Sequence, residues 1–513
     1  MSRMHGGERP EDVVPPQGTR AEGRALELPG PPQPVPPWGP VPPYGTAGPE
    51  PQPDFDHADP AAYYRALRAK YGPVAPVLLH REVPAWLVLG YREVHYVAGN
   101  PELFGRDPRR WHAWDRLPPN WPLLADIAHT PSVRFTEGAE HRRRAGAIAD
   151  VLAEVDQFEL RQRSEQAADA AVDRFAGAGR ADLMADYAEV VPLQVMAGLL
   201  GLRGHETADL VRDTAAPHAP YPGRPPAADP GPGDPDTGGH RTSATGPYGS
   251  YRPAEPAPGS RPPGAGPFAP DPDTGGHRTG GGPSAGGRPY ETDAAAARVR
   301  ALVQTLVDRA RREPARGGPD LPALLLAHPA ELTDEEIVHD LLTIFAAGRR
   351  PTADWIGNTL RLMLTDERFA LTLSGGRHSV GQALNEVLWN EPPTQNIIGR
   401  WATRDTELGG RRIARGDCLV LSLAAANADP HISHGTGPGA LVHNQAHLAF
   451  SHGPHRCPAP APALAETIAT AALEVLLDRL PDLALPTPAP PLPWRQSLWQ
   501  RAPTTLPAVF TAP

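Results

Sequence analysis

The chain has 513 residues, enough for two or three average domains, but its 67 prolines and 51 glycines gather in two blocks with no hydrophobic period, so only part of it can pack. A net charge of -10 and a pI near 6.1 exclude the dense positive face that nucleic-acid binding needs. Of the 49 basic residues only Lys70 is a lysine, a compositional bias that makes Arg142, Arg143 and Arg144 read as a solvated helix face.

Residues 1 to about 55 contain PPQPVPPWGPVPPYG and too few aliphatic side chains to offset the entropy of ordering, which predicts a disordered tail. The amphipathic segment AAYYRALRAKYG then predicts a helix, and VAPVLL and AWLVLG, separated by HREVP, predict a β-hairpin within residues 74 to 89. Apolar residues at three and four spacing predict helices over about 141–152, 158–175 and 186–200. A second Pro/Gly-rich block at about 217–289 repeats DPDTGGHRT at Asp234 and at Asp271 and reads as a solvated linker. Helices follow over about 292–312 and 334–364, late strands lie in ELGGRRIARGDCLVLSL, and a last helix spans about 462–480. The folded part is therefore expected to be mainly α with a small β portion, one core over residues 56–513 interrupted by the insert.

Two cysteines, Cys418 and Cys457, cannot build a disulfide framework, which points to a reducing compartment. No apolar core of signal-peptide length opens the chain, and no run of about 18 apolar residues stands out. These features predict a soluble, cytoplasmic protein without a membrane span.

The segment FSHGPHRCPAPAPALAE, Phe450 to Glu466, places Cys457 after an irregular loop and before a helix. Unpaired N–H groups and the helix dipole favour a thiolate there, and Pro458 suits a first helical position. On this local physics alone a buried inert cysteine is equally open.

The loop resembles the haem-ligand loop of the cytochromes P450, F-G-x-G-x-H-x-C-x-G: Phe450, Gly453, His455 and Cys457 match in register, with Ser451 and Ala459 at two usual glycines. EGAEHRRRAGAIADVL, VVPLQVMAGLLGL, ELTDEEIVHDLLTIFAAG, NEVLWNEPP, GRWATRDTELGGRRIARGD and LSLAAANADP resemble successive segments of the bacterial soluble class, in order. The resemblance implies the cytochrome P450 fold and a haem b (iron protoporphyrin IX) ligated through Cys457, with His455, Arg400 and His141 on its propionates. It also implies a monooxygenase acting on a small apolar molecule with electrons from ferredoxin and its reductase. Thiolate ligation pushes electron density onto iron and favours O–O cleavage.

Four departures fall on functional positions. The distal helix, usually A-G-x-(Glu or Asp)-Thr, reads Ala347-Gly348-Arg349-Arg350-Pro351-Thr352; arginine and proline cannot relay protons, leaving Thr352 as the candidate catalytic alcohol. The family's E-x-x-R reads Glu386-Val387-Leu388-Trp389, and no arginine lies between Pro430 and Phe450 to complete its triad. This resembles an unusual bacterial subgroup with tryptophan there, whose members accompany sensor-like and small-GTPase-like proteins. Pro458 and Pro460 remove amide donors near the sulfur, predicting a low redox potential. The insert at 217–289 falls where the family places its substrate lid, with GHETADLVRDTAA and ETDAAAARVRALVQTLVDRARREP as the two lid helices. An alternative reading is a haem protein of this fold that senses or signals with little turnover.

Overall fold

The computed structural model describes residues 50–51, 59–79, 83–117, 123–204, 289–312, 320–374, 379–433 and 444–512, with a few isolated positions between them. The proline-rich tail up to residue 49, most of the expected first lid helix and the insert lie outside the described residues. Within the expected tail, however, β1 (Glu50–Pro51) pairs in parallel with Val77 and Leu78.

The β portion is one mixed six-stranded sheet and two small two-stranded ones, Arg180–Asp182 with Pro507–Val509 and Thr406–Leu408 with Arg411–Ile413. Strands β2 (Val74–Leu79) and β3 (Val83–Val88) form the expected hairpin. Alongside them run β4 (Phe104–Gly105), β5 (Asn396–Ala402) and β6 (Cys418–Ser422), in the spatial order β1-β2-β3-β6-β5-β4. Residues Cys418 to Ser422 are all buried, which explains why they read as a continuous apolar run rather than an alternating one. A bulge at Gly399 (φ 106°) breaks the register of β5 against β6 and sets the direction of Arg400.

The longer helices are α1 (Pro60–Tyr71), α2 (Tyr91–Gly99), α3 (Gly138–Ala153), α4 (Gln157–Phe175), α5 (Val190–Leu199), α6 (Pro289–Arg312), α7 (Asp334–Thr365), α8 (Glu367–Ser374), α9 (Val380–Asn390) and α10 (Pro460–Arg479). Helix α7 starts at a capping box, Thr333 with Glu336, as its T-x-x-E sequence requires. It stays helical through Pro351.

Two cores result. One joins α4, α5, α7, α9 and α10 through Leu160, Val172, Tyr187, Ile356 and Leu473; the other packs α1 against the sheet around Trp111, Trp121 and Trp401. Helix α10 has the length and apolar character of a membrane span, which qualifies the expectation that no such stretch exists. Its Ile468, Ala469, Ala472, Leu473 and Leu476 nevertheless lie buried in the helical core, while Arg479 pairs with Asp169 and Asp173 of α4. The mainly-α architecture with a small sheet is as the sequence predicts.

Candidate functional site

The loop from Leu448 to Ala459 joins the sheet side of the molecule to α10. Its shape is fixed by two residues with left-handed backbone, Ser451 (φ 63°) and Gly453 (φ 73°), by Ser451 N–H donating to the Leu448 carbonyl (2.7 Å), and by Cys457 N–H donating to the Phe450 carbonyl (3.1 Å). A side chain at Gly453 would run into the Ala98 carbonyl of α2, so glycine is required there on both counts. At 451 the chain also needs the left-handed region, yet uses serine. Ala459 is ordinary helical backbone (φ −50°, ψ −39°), so the other usual glycine is dispensable here.

The cysteine does not sit at the first helical position. Ala459 caps α10 and Pro460 is its first residue, so it is Pro460 and not Pro458 that exploits a missing N–H. With the helix start two residues further on, burial dominates, and it pushes the Cys457 thiol up to about 11, although part of the residue is accessible. A thiol so placed is not a free nucleophile at neutral pH; it ionises only beside strong positive charge, as on a metal ion. Among the described residues no cluster of three or more His, Cys, Asp or Glu could hold a metal. A metal on Cys457 must bring its own further ligands. Cys418, by contrast, is buried in β6 and its thiol is pushed far up.

Beside the loop lies a cluster of buried cations. Arg400 is 2% exposed, forms no ion pair among the described residues, leaves its Nε unpartnered, and is lowered to about 10 by burial. His455 is held far below the ordinary imidazole range, first by burial and then by Arg400, His141 and Arg106. The His455 and His141 rings lie 3.7 Å apart, and His141 Nε2 is 3.1 Å from the Pro454 carbonyl. Arg106, 6% exposed, adds a second buried guanidinium. Buried cations without counter-ions are strongly disfavoured, so this arrangement calls for an anionic group carried by a ligand. A haem, with four nitrogen ligands for its iron and two carboxylates, fits the thiol and the cations together.

Arg144, expected on a solvated helix face, is instead buried; it stands next to Ala145, where the helix arginine implied by the family resemblance is missing, yet it does not belong to this cluster. Its Nη2 and Nε reach Asp340 of α7 at 2.6 and 2.9 Å, with both side chains essentially buried, and its Nη2 also donates to the Pro131 carbonyl (2.8 Å).

The structure also answers what replaces the missing arginines around Glu386. Arg368 of α8 comes in from the other side and donates to Glu386 Oε1 at 2.8 Å. Trp389, at the E-x-x-R arginine position, donates from Nε1 to the Asn444 carbonyl (2.7 Å), which also accepts from Asn385 Nδ2 (3.1 Å). Trp389 then begins a run of ring contacts: to His447 (6.0 Å), from His447 to Phe450 (5.9 Å), and from Phe450 to Trp355 of α7 (6.1 Å). Edge-on aromatic packing thus holds the cysteine loop to α9. A cavity of about 340 Å³ beside this run is lined by Asn385, His447, Cys457 and Glu466 among others.

On α7, Arg350, at the acid position, turns to α5 and pairs with Glu189 (2.7 Å), which also meets Arg495 (3.4 Å). Arg349 is buried against the Phe345 ring (5.8 Å) and lowered to about 10 by burial. Thr352 is 2% exposed. Sequence reasoning missed Arg106, Arg368 and Asp340, because each acts through long-range contacts that leave no periodic or local signature.

Fold and site together give a mainly helical protein with a buried thiol beside buried arginines that lack acidic partners. No family model matches the chain. It is 36% identical over 228 residues to nocardicin C N-oxygenase of Nocardia uniformis subsp. tsuyamanensis, a match covering 43% of the chain and 55% of that enzyme. To biflaviolin synthase of Streptomyces coelicolor it is 26% identical over 449 residues, 86% of the chain and 90% of the enzyme. The testosterone-bound structure of a cytochrome P450, CYP154C4 from Streptomyces, superposes with a TM-score of 0.67 at 24% identity, covering 91% of the chain and 99% of that protein. The chain has the cytochrome P450 fold.

Proposed function

We propose that the protein holds haem b through Cys457, with its carboxylates on His455, Arg400 and His141, and acts as a monooxygenase-like oxidoreductase on a small apolar molecule with electrons from ferredoxin and ferredoxin reductase. One observation carries this reading: a thiol that burial keeps protonated lies next to a cluster of buried cations with too few anions. When bound, haem supplies the one-electron and oxygen chemistry that side chains lack. The chain's own residues bind and orient it. Gly453 and Phe450 shape the loop, Trp389, His447 and Phe450 brace it, and the buried surround excludes water. Thr352 holds the one hydroxyl at the relay end of the distal segment, able to donate or accept at Oγ1, while Arg349 and Arg350 can only donate.

Scarcity of donors near the sulfur supports a low midpoint potential. Pro458 and Pro460 have no N–H. Replacing Pro458 by leucine adds one N–H, and the potential of the loaded protein should rise; an unchanged potential refutes this step.

A second reading is favoured by the Arg350–Glu189 ion pair, which puts a locked cation where the family uses a carboxylate. In it, the protein is a haem protein with weak turnover that acts beside sensor-like and GTPase-like partners, as in the subgroup with tryptophan at the Trp389 position. Ferredoxin-supported and peroxide-supported oxidation of a panel of apolar molecules decides between the two: product formation supports the oxygenase, and silence in both assays supports the signalling reading.

A further inference from the structure

We infer that Arg106 is a binding residue for a carboxylate of the prosthetic group and replaces the helix arginine lost at Ala145; this rests on the haem reading above. Three observations point to it. First, the cation expected from α3 is absent: position 145 is alanine, and its neighbour Arg144 is committed to Asp340. Second, Arg106 is 6% exposed yet makes no ion pair among the described residues. Its Nε donates to the Arg134 carbonyl (3.1 Å) and its Nη1 to the carbonyls of Ile398 (3.3 Å) and Gly399 (2.6 Å), while Nη2 makes no hydrogen bond. Burial and the positive charges of Arg400 and Arg134 all oppose its charged form.

The carboxylate of Glu137 does not relieve this. Its Oε2 pairs with Arg110 at 2.6 Å, and its Oε1 accepts the backbone N–H groups of Arg106 and Asp107. Third, the position is built. The Gly399 bulge turns its carbonyl onto Arg106, and a Cβ at 399 would press on Arg106 Nη1 at 3.0 Å, so the same backbone feature that directs Arg400 also fixes Arg106 beside it. A guanidinium clamped by carbonyls, with one free nitrogen, next to a second unpaired arginine, is an acceptor-seeking site for a carboxylate.

The test compares full-length wild type, Arg106→Gln and Arg106→Lys, each loaded with haem or with haem dimethyl ester, whose carboxylates are neutral. Transfer to excess apomyoglobin is followed at the Soret band. Loss of haem should accelerate about ten- to a hundredfold in Arg106→Gln, the size of one charge-assisted hydrogen bond, and less in Arg106→Lys. Loss of the dimethyl ester should stay within about twofold of wild type, because the contact it lacks is already gone. Equal acceleration for both ligands would make Arg106 a purely structural clamp and overturn the inference, as would no acceleration for either. Should Arg106→Gln not fold, the same comparison on Arg106→Lys decides the matter. A wild-type chain that takes up neither ligand refutes the haem reading itself, a result distinguishable from a failure of Arg106 alone.

Discussion

Replacing Asp340 by alanine tests how the site is held to the rest of the molecule. Asp340 sits on α7 with its side chain fully buried, accepts from Arg144 Nη2 and Nε at 2.6 and 2.9 Å, and accepts the Val133 N–H at 2.7 Å. The pair therefore ties α7 to α3, the helix carrying His141. Removing the carboxylate strands a guanidinium that is 1% exposed and has only the Pro131 carbonyl and more distant acids to turn to. Breaking a buried pair from one side costs about 3–5 kcal/mol. For roughly 380 packed residues the unfolding entropy is about 0.8 kcal/mol per degree, so the melting temperature should fall by about 4–6 °C. Differential scanning calorimetry measures it. Pairing Asp340→Leu with Arg144→Met should recover most of the loss, because no charge is then left buried. A fall under about 1 °C in Asp340→Ala, or a double variant less stable than the single, would refute the reasoning.

Arg368→Ala should destabilise by about 1–3 kcal/mol in denaturant titration, since it removes the 2.8 Å charged contact from the buried Glu386. Ser451→Gly should stabilise by about 1 kcal/mol by relieving a left-handed serine, whereas Gly453→Ala should unseat the loop and cost over about 2 kcal/mol; opposite signs at two positions so close together are the diagnostic result. Burial lowers His447 to about 4, and neither of its ring nitrogens is hydrogen-bonded. The folded state keeps it neutral while the unfolded chain protonates near pH 6.5, so this contribution is full above pH 6.5 and is lost as the pH falls from there to about 4. It amounts to about 3 kcal/mol, and a His447→Gln variant should show a correspondingly flatter loss of stability over that window.

Much of the architecture was legible because helix and strand periods are local. The hairpin Val74–Val88, the long helix from Asp334, and the strand Cys418–Ser422 all announce themselves by apolar spacing, and the Phe450–Cys457 loop by its glycine, histidine and cysteine register. What stayed hidden depends on contacts between residues far apart in the chain. Arg144 lies one position from the expected arginine, but only the fold shows that Asp340, 196 residues on, claims it. Arg368 could not be matched to Glu386 because a helical arginine on α8 looks like any solvated charge until α9 packs beside it. Arg106 owes its burial to a bulge at Gly399, almost 300 residues away. The first turn of α10 was misplaced by two residues because either Pro458 or Pro460 satisfies the local rule, and only the helix's packing selects between them.

The central claim is that Cys457 gives its sulfur to the iron of a haem. The most direct measurement is the difference spectrum of the dithionite-reduced, carbon monoxide-treated protein, wild type against Cys457→Ala. The account predicts a carbon monoxide band characteristic of thiolate-ligated haem in the wild type and none in the variant. A wild-type protein that stays colourless with added haem, or a variant with an unchanged band, would contradict it.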